Sequence, residues 1–326
     1  MAVYTEVADE ELAQFIDSYG LGAVVSCKGI AEGVENTNYL VATASDQFIL
    51  TLYEKRVARD DLPFFLGLME HLAAKGLSCP TPVRDREGCN LRELGGRPAA
   101  LVTFLEGLWL RKPQPRHCHS VGVALARLHL AGQDFAIPRV NALGPAGWQP
   151  LFERFRGFAD SVTPGLADTI EREMAAILAD WPQQLPAGVI HADLFPDNVF
   201  FRGDQLSGLI DFYFACNDMF AYDIAVCLNA WCFEPDVTFN RDKGVALLAG
   251  YQSVRPLTGP ERVAVPTLAR GAALRFLLTR AHDWVYTPAD ALVVKHDPIP
   301  YLQRLVFHSS VVAEGSAATY GLEDQP

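Results

Sequence analysis

Apolar positions along the chain follow two periods. Leu12, Phe15 and Ile16 fall on one face of a helix over residues 9–19, with Asp9 able to cap it and Gly20 as its stop. The pattern then changes to short β-forming runs at 23–27, 37–43 and 47–54, the first two joined by a glycine-containing connection. Leu62, Phe65, Leu66, Met69, Leu72 and Ala73 restore the helical period over 59–75, ended by Gly76. A rigid Cys79-Pro80-Thr81-Pro82 turn and a strand over 97–104 follow.

Beyond this point the helical period dominates. Pro113 and Pro115 introduce a helix through Leu130, residues 132–147 read as a loop, and helices are predicted over 148–160 and 165–181. His129 on the first of these reads as a packed residue rather than a catalyst. A short strand at 188–190, apolar runs from Val199 and over 206–210, and a helix over 223–232 come next. Residues 239–313 are helical by period, interrupted near 256–260 and 287–300, and a frayed tail is expected from Gly315. The change of pattern near 105–108 puts the domain boundary there, giving residues 1–105 and 106–326.

Composition narrows the class. Of 326 residues, 50% are apolar and 20% charged, as in a soluble globular enzyme large enough for two cores. The net charge of −12 argues against a nucleic-acid surface. Seven cysteines without a Cys-x-x-Cys pair suggest neither a zinc site nor a disulfide framework. No signal-like start and no apolar run of roughly 18 residues is present. The expectation is a cytoplasmic protein.

One stretch carries chemistry. Phosphoryl transfer needs a carboxylate to orient the attacking hydroxyl and oxygen ligands for a magnesium ion bound to the phosphates. In His191-Ala192-Asp193-Leu194-Phe195-Pro196-Asp197-Asn198, Asp193 suits the first role and Asn198 the second, and Asp211 follows the next apolar run as a further metal ligand. Each piece alone is ordinary turn chemistry; the ordered set with its intervening strands is the signal.

This stretch resembles the catalytic loop of the aminoglycoside phosphotransferase-like kinases, a branch of the protein-kinase-like fold. With Gly33-Val34-Glu35-Asn36-Thr37-Asn38-Tyr39 and Leu50-Thr51-Leu52-Tyr53-Glu54-Lys55-Arg56, it is similar to the homoserine kinases of threonine biosynthesis, over nearly the whole chain. The resemblance implies an α+β bilobal fold: a small lobe with an antiparallel sheet and a bracing helix, and a larger, mainly helical lobe. ATP and Mg2+ are the implied cofactors, and L-homoserine the acceptor.

Gly29, Gly33 and Asn36, in or beside the flap between the first two strands, are then ATP-binding candidates, and His191 and Asp223 support the catalytic loop. Asp223 is also favoured as an acid at a helix start. The lysine that such kinases carry on the third strand is replaced by Thr51. Lys55 lies about 13 Å farther along that strand, so Lys28 and Lys55 are the candidates for its role. Glu70 is either the partner of that cation or solvent-facing.

For the acceptor, Tyr213, Asp218, Arg275 and Arg280 are candidates, with Asp218 alternatively capping the helix after it. Asp211 is followed by Phe212-Tyr213 and no Ala-Pro-Glu segment, which disfavours a protein kinase. A zwitterion requires an arginine for its carboxylate, and the C-terminal helices hold arginines with few clustered acids. Choline, ethanolamine, methylthioribose or an aminoglycoside as acceptor, and a nucleotide-binding pseudokinase, are the alternatives.

Overall fold

The computed structural model describes residues 5–30, 36–54, 57–287, 295–315 and 317–322. The chain divides into two compact units, residues 1–107 with 207–213, and residues 108–206 with 214–326. The expected division after residue 105 therefore shifts by two residues, and the segment bearing Asp211 belongs with the first unit.

In the first unit, helix α1 (Asp9–Tyr19) precedes strands β1 (Val24–Ile30), β2 (Thr37–Thr43) and β3 (Gln47–Leu52), helix α2 (Leu62–Ala74), and strands β4 (Arg92–Leu94) and β5 (Arg97–Thr103). The strands form one antiparallel sheet in the order β1-β2-β3-β5-β4. Leu12, Phe15, Ile16 and Tyr19 of α1 are buried with Val41, Phe48, Leu50, Leu52 and Leu101 of the sheet. Each such side chain contributes roughly 1.5–3 kcal/mol over an exposed one.

Two local expectations change. Asp9 is the first helical residue and Ala8 occupies the cap without a capping side chain, while Gly20 closes the helix at φ 71° as expected. Strand β3 ends at Leu52; the Tyr53 amide still donates to the carbonyl of Pro98 in β5, and the Glu54 amide turns to the side chain of Asn36.

The second unit contains helices α3 (Pro115–Ala131), α4 (Pro145–Phe155) and α5 (Leu166–Ala179), then strands β6 (Ala187–Ile190), β7 (Val199–Arg202), β8 (Gln205–Leu209, its last three residues counted with the first unit) and β9 (Cys216–Met219). Helices α6 (Phe220–Trp231), α7 (Arg241–Gln252), α8 (Gly259–Tyr286) and α9 (Ile299–Glu314) complete it. Strands β6 and β9 pair antiparallel, Val189 opposite Asn217. Helix α8 is buried along most of its length and packs on α4, α6 and α9.

Helices α3 and α7 cross at backbone contact. A Cβ built at Gly122 would lie 2.0 Å from the carbonyl oxygen of Leu247, and one at Gly250 would lie 2.1 Å from that of His119. Only glycine permits this approach, and it fixes the height of Tyr251 against His129.

The expected frayed tail is corrected. Residues Ala317–Tyr320 form a 3-10 turn, Tyr320 is fully buried, and its hydroxyl lies 2.7 Å from Nδ1 of buried His308. An aromatic six residues past a helix end has no periodic signature, so burial there is invisible to pattern. Among the described residues no helix is long and apolar enough to cross a membrane.

Candidate active site

Strand β6 delivers the chain into His191, Ala192 and Asp193. Ala192 has φ 61°, a left-handed conformation that costs a non-glycine residue on the order of 1–2 kcal/mol. The backbone is held there from both sides. Its N–H donates to Oδ1 of Asp223 at 2.8 Å, the N–H of His191 donates to Oδ2 at 2.7 Å, and Nη1 of Arg275 donates to the Ala192 carbonyl at 2.5 Å.

Asp223 lies in the first turn of α6, which begins at Phe220, three residues before the expected start. It is buried, and so is its third partner, His129, whose Nε2 stands 3.1 Å from Oδ2. Burial lowers the pKa of His129, so the ring is neutral near pH 7. A carboxylate only accepts, so Nε2 carries the proton and Nδ1 accepts from the Tyr251 hydroxyl at 2.8 Å. Arg255 donates to that hydroxyl oxygen at 3.2 Å, completing a chain from Arg255 through Tyr251 and His129 to Asp223. Burial alone would raise the pKa of Asp223, yet the His129 hydrogen bond, the His129 and His191 rings and the backbone donor take it below the ordinary carboxylate value.

After Asp193 the loop closes on itself. Nδ2 of Asn198 donates to the Asp193 carbonyl at 2.9 Å, the Phe195 amide donates to the same oxygen, and the Trp231 indole donates to the Leu194 carbonyl at 2.7 Å. Because Asn198 spends its amide nitrogen in this way, its oxygen is the end left for a cation. Oδ1 of Asp193 lies 3.7 Å from Nη1 of Arg275. The loop thus presents a carboxylate on a backbone that its surroundings fully determine.

Asp211, in the first unit, follows β8 at φ 63° and is exposed. Strained non-glycine conformations concentrate at functional positions, and among the described residues Ala192 and Asp211, two of three such residues, flank or carry the expected chemistry.

The nucleotide candidates are placed differently from expectation. Gly33 and Lys55 lie outside the described residues. Gly29 and Lys28 are exposed on β1. Asn36 is buried, its side chain accepting from the Glu54 amide, which is a structural task. Thr51 is buried and donates to Oδ1 of Asn38 at 2.8 Å. Glu70 pairs with Arg84 at 2.7 Å and accepts from Asn90.

Of the acceptor candidates, Tyr213 packs edge-on to Tyr53 and Phe65 within the first unit, and burial pushes its hydroxyl up to about 12. Asp218 uses both oxygens locally, on the Met219 amide and on Nδ2 of Asn141, each at 2.7 Å. Burial raises its pKa. Arg275 is tied to the catalytic loop. Arg280 is on the same helix, stacked on Tyr301.

Strand β6 thus leads into a His-Ala-Asp loop whose backbone is gripped by a buried aspartate, with an asparagine five residues on. Residues 26–257 match the phosphotransferase enzyme family. The chain is 60% identical to the homoserine kinase of Rhizobium etli (strain CIAT 652) and 62% identical to that of Xanthobacter autotrophicus, covering 99% of both chains in each case. An aminoglycoside phosphotransferase structure from Alicyclobacillus acidocaldarius shares the fold at TM-score 0.66 and 16% identity, over 92% of this chain and 95% of that one. The chain belongs to the homoserine kinase family of these phosphotransferases.

Proposed function

We propose that the chain transfers the γ-phosphoryl group of ATP to the side-chain hydroxyl of L-homoserine, giving O-phospho-L-homoserine and ADP in threonine biosynthesis. The observation that carries this is the full-length identity to homoserine kinases, 60% and 62% over 322 residues. The immobilised loop around Asp193 supports the chemistry.

Asp193 orients the acceptor hydroxyl and takes its proton as the oxygen attacks phosphorus. Arg275, with Nη1 3.7 Å from the carboxylate, holds it in place. Asn198 and Asp211 are each kept as candidate magnesium ligands, an amide oxygen and a carboxylate being hard donors of the kind that ion prefers. When bound, it neutralises charge on the phosphates. Positioning of this kind supplies roughly 7–11 kcal/mol, and a general base about 10²- to 10⁴-fold in rate. Lys28, Gly29, Gly33 and Lys55 are retained as candidates for the phosphate-binding flap. Seven free cysteines, five of them buried, suit a reducing cytoplasm.

The test is ADP release with MgATP across homoserine, serine, choline, methylthioribose and kanamycin. Homoserine should be preferred by at least two orders of magnitude in kcat/KM. Preference for another alcohol rejects the acceptor, and no ADP release with any rejects the kinase.

A further inference from the structure

Helices α8 and α9 carry a second feature on the catalytic side of the larger unit. The guanidinium carbons of Arg280 and Arg304 each lie 4.5 Å from the ring centroid of Tyr301, so they are at most twice that distance apart. Among the described residues neither arginine has a carboxylate within ion-pairing distance. Among the described residues Arg280 donates to the Asp297 carbonyl, at a long 3.4 Å. Nε of Arg304 and the hydroxyl of fully buried Tyr301 have no hydrogen-bond partner, and the same holds for Nε of Arg275.

Unpaired cations and a buried, unpartnered hydroxyl at one place are costly unless a ligand completes them. Two forked, positively charged donors facing one ring suit a planar anion. Burial, and then the neighbouring charge of Arg304, lowers the pKa of Arg280. The charge of a bound anion would offset both effects.

The feature connects to the catalytic loop. Phe276 stacks under the Arg275 guanidinium at 4.0 Å, lies 5.1 Å from Tyr301, and meets Phe195 of the loop at 4.9 Å. The Asp193 carboxylate is near enough to act electrostatically on both Arg280 and Tyr301.

We propose that Arg280, Arg304 and Tyr301 form the subsite for the acceptor's carboxylate, with Arg304 a specificity-determining residue. The inference rests on the proposed acceptor, whose hydroxyl and carboxylate are separated by three carbons, about 5 Å at bond lengths of about 1.5 Å. With the carboxylate on the arginine pair, the hydroxyl extends toward Asp193. A phosphate group offers the same charge, so the nucleotide is the competing occupant.

The experiment compares wild type, Arg304→Gln, Arg304→Lys and Arg280→Gln on homoserine and on 3-aminopropan-1-ol, which is homoserine without its carboxylate. The kcat/KM ratio of homoserine to the amino alcohol should fall roughly 10- to 100-fold in Arg304→Gln and Arg280→Gln, mostly through KM for homoserine. Arg304→Lys should recover part of it, and KM for ATP should stay within about twofold in all variants. Equal losses on both acceptors, or a rise in KM for ATP instead, overturns the subsite while leaving homoserine as acceptor. A wild-type enzyme that prefers the amino alcohol overturns the acceptor and the subsite together. Should Arg304→Gln not fold, Arg280→Gln and Arg304→Lys apply the same criterion.

Discussion

Asp223 accepts the backbone N–H of Ala192 at 2.8 Å while Ala192 stands at φ 61°. A strained residue beside Asp193 is thus held by a buried carboxylate that is itself spent on backbone and ring donors. Strain of this size persists only where the surroundings over-determine it.

Replacing Asp223 by Asn tests that coupling. One oxygen must then serve three donors, and the new NH2 group confronts an N–H. We expect a loss of about 2–4 kcal/mol in stability. Turnover should fall at least tenfold with KM for ATP little changed, measured by urea unfolding and steady-state kinetics.

Tyr251 acts one step further out. In Tyr251→Phe the Nδ1 atom of His129 loses its donor and Arg255 loses an acceptor, while the ring packing stays. The expected cost is about 1–2 kcal/mol in stability. The activity loss should be smaller than in Asp223→Asn, since Glu261 still pairs with Arg255 at 2.9 Å. An activity loss equal to that of the Asp223 variant would show that the chain is not graded.

The crossing of α3 and α7 ties packing to this chain. Gly250→Ala drives a methyl into the His119 carbonyl, so the helices must separate and carry Tyr251 away from His129. Overpacking of this kind costs about 1–3 kcal/mol. A thermal melt should drop by several degrees, and activity should fall with it.

Much of the scaffold was legible from pattern because the amphipathic faces of α1, α2 and α3 obey a simple period. Asp193, Asn198 and Asp211 stood out as candidates because phosphoryl transfer calls for a carboxylate and oxygen ligands for a metal. The support was not legible. Val189 pairs with Asn217 across a two-strand ladder whose second strand, Cys216–Met219, is too short and mixed to announce itself. His129 is 94 residues from Asp223, and nothing local links them. Arg304 and Tyr301 look like ordinary members of an amphipathic helix until α8 brings Arg280 against the same ring.

Asp193→Asn addresses the chemistry directly. The change preserves shape and the Asn198 bond to the Asp193 backbone carbonyl, so folding and ATP binding should survive. The turnover rate should fall by about 10² to 10⁴, the usual worth of a general base. Retained activity would remove Asp193 from that role.

His308 makes the fold sensitive to acid. It is fully buried between the Tyr320 hydroxyl and Oδ1 of Asn229, and burial, with the charge of Arg304 one turn away on α9, holds its pKa down to about 3. An unfolded chain takes up this proton near pH 6.5, so between pH 6.5 and about 3 the unfolded state binds more protons than the folded one. Stability from this group is therefore complete above the unfolded value and is lost as pH falls, by about 1.4 kcal/mol per unit. His129, also lowered by burial, acts in the same direction. His308→Gln keeps a donor and an acceptor but cannot titrate. Urea unfolding of both proteins at pH 7, 6 and 5 should show the stability advantage of wild type shrinking as pH falls, because contributions from carboxylates cancel in the difference. A constant difference over that range would mean that His308 titrates in the folded chain as it does in the unfolded one.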